Sequence, residues 1–218
     1  MELQTILGTD KDDLIFGNNK NNIIKSFAGK DTVFGGGGND TLEGGDDNDL
    51  LIGGSGVDSL SGGKGNDRLF GGEEFDILFA GDGDDLAFGG RGDDVIFGEN
   101  GNDKLFGGAG ADLLSGGIGK NQLFGGSGND QLRGEVGDNI LTGGTGADGF
   151  VLSVKGTNRI TDFQIGEDRI LLLDRDITFG SLNLIHQNGG TLITTNENQN
   201  LAFLQGVNPD LLSADDFG

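Results

Sequence analysis

The sequence predicts an all-β fold built as a solenoid, and three observations predict it. From Gly8 to Val151 the chain divides without a gap into sixteen nonapeptides. The eighth position of the unit is apolar in all sixteen, and the first is glycine in fourteen, with Ser26 and Ala80 as the exceptions. Glycines at positions 1, 2 and 4 permit the tight turn that occupies the first six residues, and positions 7 to 9 carry a short strand around one inward side chain. A three-residue strand cannot stand alone, and one apolar side chain per nine residues cannot offset the backbone entropy, so the units must stack.

Composition narrows what such a stack can do. The 218 residues suffice for one domain or an elongated array with a cap, but leave no room for a catalytic domain beside the repeats. The 46 glycines recur with a period of nine rather than three, which excludes collagen and unpatterned low complexity. With 36 acidic against 14 basic side chains the formal charge is -22, a surface that repels nucleic acid and anionic lipid alike. Cysteine is absent, so neither disulfides nor thiolate sites staple the fold, and metal ions are the natural substitute. The start, MELQTILGTD, has no basic and apolar leader, so no N-terminal signal peptide is expected. The longest apolar run, Ile170 to Leu173, is far too short for membrane insertion.

Taken in order, residues 1–7 are expected to form a lead-in strand and residues 8–151 the array. Position 6 is aspartate in thirteen units: Asp13, Asp31, Asp40, Asp49, Asp58, Asp67, Asp76, Asp85, Asp94, Asp103, Asp112, Asp130 and Asp148. The other three units carry Asn22, Asn121 and Asn139. Residues 152–218 read as a β-rich cap, with strands in RITDFQI, DRILLL, LNLIH and TLITT and a hairpin signal at Asn188-Gly189-Gly190. Pro209, preceded by Asn208 as cap, suggests a short terminal helix.

Units such as GGSGVDSLS (Gly53–Ser61), GGKGNDRLF (Gly62–Phe70) and GGSGNDQLR (Gly125–Arg133) resemble the RTX, or hemolysin-type calcium-binding, nonapeptide family with its GGxGxDxUx pattern. The resemblance implies a right-handed parallel β-roll in which two nonapeptides make one 18-residue coil. Sixteen units would give about eight coils, roughly 38 Å long at the usual strand spacing. Odd and even units then line opposite flanks. The even flank carries aspartate from Asp40 to Asp148, and the odd flank from Asp13 to Asp103 before it turns to Asn121 and Asn139. Position 9 of the odd units reads Phe16, Phe34, Ile52, Phe70, Phe88, Phe106, Phe124 and Thr142, an aromatic ladder that either steadies the outer face or docks a glycan or surface protein.

Calcium takes six to eight oxygens, more than one turn supplies. The resemblance implies half-sites completed from the next coil: a position 6 carboxylate with the carbonyls of positions 2 and 4. The glycines that match are Gly36, Gly38, Gly54, Gly56, Gly63, Gly65, Gly81, Gly83, Gly90, Gly92, Gly108, Gly110, Gly126, Gly128, Gly144 and Gly146. Consecutive aspartates leave six gaps on the even flank and five on the odd, so up to about eleven Ca²⁺ ions. Lys11, Lys20, Asp47 and Glu74 stand where position 4 is otherwise glycine and weaken those turns. Without the ions, carboxylates stacked about 5 Å apart repel by roughly 3 kcal/mol per pair, so the apo array is expected to be largely unfolded.

The tail also resembles segments that follow RTX arrays and carry an uncleaved signal read by the type I secretion machinery, which implies a secreted protein. Catalysis is not expected, since the single histidine, His186, has no cysteine, HExxH motif or nucleophile elbow to work with. The reading is therefore a secreted calcium-binding roll. An adhesin or surface-layer component, or a detached module of a secreted hydrolase or epimerase, are the alternatives.

Overall fold

The computed structural model describes residues 3–174, 176–187 and 189–218. Successive strands alternate between two sheets, so each coil contributes one strand to either. One sheet has ten parallel strands, from Gln4–Leu7 to Arg169–Leu172. The other has twelve, beginning at Leu14–Asn18. Within the array every pairing joins residues eighteen apart, as in Leu14↔Thr32 and Leu86↔Lys104 on one side and Ile23↔Thr41 on the other.

That register files the position 8 side chains into two columns, one from each sheet, which together form one core. Ile24, Val33, Leu42, Leu51 and each later member to Phe150 are fully buried, while Ile15 in the first unit keeps 8% of its surface exposed. Inward residues 4.8 Å or so apart along the stack touch their neighbours above and below, which gives each short strand the burial it lacks alone.

The stack reaches about nine coils, one more than the sixteen units supply. Gln4–Leu7 pairs with Asn22–Ala28 in the same eighteen-residue register, so the lead-in strand is the end of a further unit with Ile6 in the core position. Beyond Val151 the coil also continues. Gly156–Ile160 lies beside Gly137–Thr145 with Asn139 opposite Asn158, and Arg169–Leu172 lies beside Gly149–Leu152 with Phe150 opposite Ile170. The repeat of the sequence ends there, but the helical path of the backbone does not.

The remaining chain closes that end. Asn200–Gln205 pairs parallel to Gly156–Ile160, and Gly190–Thr195 and Leu182–Gln187 follow antiparallel. The expected hairpin is present around Gly189 at φ 86°, whereas Asn188 lies outside the described residues. RITDFQI is strand only to Ile160, since Asp162 turns the chain by accepting the N–H groups of Gly143 and Gly144. Asn200–Gln205 was not anticipated as a strand. The terminal helix is a single 3-10 turn, Pro209–Leu211, capped by the Asn208 side chain on the N–H of Asp210 at 3.1 Å. No helix among the described residues is long and apolar enough to cross a membrane.

Candidate metal-binding flanks

The position 6 side chains stack up the two flanks, and each is divided between two tasks. One oxygen, Oδ1, accepts the backbone N–H of the position 6 residue one coil earlier. Asp58 takes the N–H of Asp40 at 2.7 Å, Asp76 that of Asp58 at 2.8 Å, and Asp67 that of Asp49 at 2.7 Å. The same bond recurs from Asp31 on the N–H of Asp13 to Asp148 on that of Asp130. The other oxygen has no such use.

In eleven aspartates that second atom, Oδ2, is buried without a hydrogen-bond partner: Asp31, Asp49, Asp67, Asp85 and Asp103 on the odd flank, and Asp40, Asp58, Asp76, Asp94, Asp112 and Asp130 on the even. A buried carboxylate oxygen left unpaired costs several kcal/mol unless a proton or a cation satisfies it. Burial accordingly pushes the carboxyls of Asp49 and Asp103 up to about 7 and that of Asp76 to about 8, against which the bond from the preceding coil lowers them only in part. For Asp58, Asp67, Asp94 and Asp130 the same cause gives about 6. Asp13 differs in that its Oδ2 accepts from the N–H and hydroxyl of Thr9 at 2.7 and 2.9 Å.

The donors around these atoms are all oxygen. In the glycine-led units the orphaned Oδ2 lies beside the first glycine of its own unit, with the carbonyl of the equivalent residue in the next coil close by, as with Asp40, Gly35 and Gly53. The carbonyls of positions 2 and 4 point along the stack, since a methyl group on Gly54 or Gly56 would collide with the oxygens of Gly36 and Gly38. Among the described residues no three acidic or histidine side chains converge on one point, so a cation here would draw on carboxylates and carbonyls together. A donor set of carboxylate and peptide oxygens without nitrogen or sulfur suits a hard divalent ion, calcium before zinc.

A comparison with protein families matches the RTX calcium-binding nonapeptide repeat in four consecutive blocks, residues 7–42, 43–78, 79–114 and 115–150. The chain belongs to the RTX calcium-binding repeat family. Among solved structures it is similar to the extracellular lipase LipA from Serratia marcescens, at 18% identity and a TM-score of 0.42, over 100% of this chain and 40% of the lipase. It is also similar to a subunit of the mannuronan C5-epimerase from Azotobacter vinelandii, at 27% identity and a TM-score of 0.35, over 67% of this chain and 78% of that one. The RTX chain thus spans well under half the length of the lipase. No curated protein matches it.

Three features of this RTX array were not read from the sequence. Position 5 forms a second ladder running the opposite way: the Oδ1 atoms of Asn39, Asn48, Asn66 and Asp84 accept the N–H of the position 5 residue one coil later, at 2.8 to 3.2 Å. Its signal was present in the Asn and Asp enrichment of that column. The even aspartate flank also gains a member beyond the repeats, Asp168, which accepts the N–H of Asp148 at 3.0 Å. Its second oxygen takes the N–H of Gln164 at 2.8 Å, so the ladder ends on a satisfied carboxylate. Thirdly, Asp47 and Glu74 adopt the left-handed backbone that glycine supplies elsewhere, at φ 79° and 72°, so these turns persist at a cost in strain. Lys11 and Lys20 do not adopt it, and the first two turns depart from the rest.

Outside the flanks, the aromatic column stacks face to face. Phe16 and Phe34 lie 5.1 Å apart, Ile52 interrupts, and Phe70, Phe88, Phe106 and Phe124 continue at 4.7 to 5.0 Å. The even column stacks only Phe79 on Phe97 and otherwise carries ion pairs such as Lys25 with Glu43. His186 is exposed on the edge strand Leu182–Gln187.

Proposed function

We propose that this RTX chain holds calcium between successive turns of both flanks, folds as it does so, and is exported by a type I system to act outside the cell. The observation that carries the reading is the row of eleven buried, unpartnered Oδ2 atoms. In this assignment each ion joins the aspartate of one coil to its counterpart eighteen residues on, with position 2 and 4 carbonyls such as those of Gly36, Gly38, Gly54 and Gly56 completing the shell. Asn121 and Asn139 would end the odd series, because an amide keeps the stacking bond and lacks the charge.

The linkage follows from the same atoms. Ion binding supplies the folding free energy, so the chain stays open where calcium is scarce and closes where it is about millimolar, at the weak end of calcium affinities, roughly 10⁻⁴ to 10⁻³ M. Export of an open chain and folding after it are then one process. Residues 152–218 serve as the cap and carry the secretion signal, a reading that rests on family resemblance. The stacked phenylalanines cover one another's faces, which favours a scaffold role for the column over a docking one. No catalytic role is assigned.

Circular dichroism of the chain in chelator, followed by calcium addition, tests the proposal. A low β signal that rises cooperatively is the expected result. A full signal in chelator would refute it.

A further inference from the structure

Phe27 is an exposed phenylalanine held in a backbone conformation that disfavours it. It occupies position 2, where eleven of the sixteen units have glycine. Its φ is 81°, in the left-handed region, and its side chain keeps 44% of its surface exposed. Unlike the ladder phenylalanines it joins no ring stack among the described residues. A bulky side chain in this region is a genuine outlier that the fold does not need, since glycine serves the same turn in the neighbouring coil at Gly45, directly opposite.

The ring borders a cleft of about 310 Å³, within the range of small-molecule sites. Asp10, Lys25, Glu43 and Asp46 share the lining. Lys25 is committed, with its ammonium on both oxygens of Glu43 at 2.8 and 2.7 Å, and Asp46 gives one oxygen to Lys64 at 2.8 Å. With Lys25 on Glu43 and Lys64 on Asp46, Asp10 is the lining carboxylate left without an ion pair among the described residues, so the cleft keeps a net negative charge. Such a site favours hydroxyl and ammonium donors and rejects carboxylates and sulfates.

We propose that the Phe27 cleft binds an amino sugar, the pyranose ring lying on the phenylalanine face with its ammonium toward Asp10. An apolar C–H face over an aromatic ring and a cation near both ring and carboxylate are the two contacts that this lining offers together. The site exists only on the folded coil, so the inference rests on the calcium reading above.

Calorimetric titration of the calcium-saturated chain with a glucosamine disaccharide tests it, with circular dichroism on the same sample. Binding by the wild type, at least tenfold weaker in Phe27→Gly and within threefold in Phe27→Tyr, is expected. Because Phe27→Gly relieves the strained backbone, its thermal midpoint should be equal to or higher than the wild type's. Equal binding by Phe27→Gly would mean unspecific attraction to the acidic surface and overturn the proposal. A folded roll that binds no disaccharide would overturn it while leaving the calcium reading intact, and a chain that fails to fold in calcium would sink both.

Discussion

Asp76 accepts the backbone N–H of Asp58 with one carboxylate oxygen, 2.8 Å away, and leaves the other buried with no partner. The stacking bond and the charge are therefore separable at a single side chain. Asp76→Asn keeps the acceptor and removes the charge, so we expect it to lose calcium at the two gaps it borders while standing at least as firm as the wild type in chelator. Asp76→Ala removes both and should cost about 1 to 3 kcal/mol more than the asparagine variant, because the N–H of Asp58 is then buried unpaired. Calcium stoichiometry and thermal midpoints with and without chelator separate the two effects.

The reverse exchange applies at the odd flank. Asn121 and Asn139 already place Oδ1 on the N–H of Asp103 and Asn121, at 2.8 and 2.9 Å. The double variant Asn121→Asp with Asn139→Asp should add up to about two ions per chain. It should also lower stability in chelator, since two more carboxylates are buried. An unchanged ion count would mean that these last turns lack the other ligands.

Acid should partly replace calcium. Burial raises Asp49 and Asp103 to about 7 and Asp76 to about 8, above the ordinary 3.8 that they regain on unfolding. A raised folded-state value means that the folded chain holds more protons, so this contribution is complete below about pH 4 and is lost as the pH rises through 6 to 8. In chelator the β signal should thus be stronger near pH 4.5 than near pH 8. With calcium the order inverts, since ions must displace those protons. A signal in chelator that grows with pH would contradict the assignment.

Gly101→Ala tests the closeness of the stack. Gly101 has φ 140°, and a Cβ there would overlap the carbonyl oxygen of Gly83 in the preceding coil. We expect a loss of about 3 kcal/mol in the calcium-loaded protein, read from the denaturation midpoint, against less than about 0.5 kcal/mol for a solvent-facing change such as Arg91→Gln.

The core columns, the two flanks and the aromatic ladder were legible because each is a position within a fixed period. The period reports which side chains share a face, and Leu105 or Asp94 needs nothing more to be placed. What the sequence hid lies where the backbone keeps its path while the spacing slips. Asn139 faces Asn158 and Phe150 faces Ile170, nineteen and twenty residues apart, so neither Asn158 nor Asp168 falls in the nine-residue frame. The second oxygen of each aspartate was equally hidden, since whether it is orphaned depends on where the neighbouring coil puts its amide. Asp47 and Glu74 read as defects because glycine was missing, yet the stack above and below forces them into the turn.

If the orphaned oxygens are calcium ligands, equilibrium dialysis of calcium coupled to circular dichroism will count them. About ten ions per chain, near the eleven orphaned atoms, should be taken up cooperatively as the β signal appears. Fewer than about three ions, or uptake with no change in secondary structure, would contradict it.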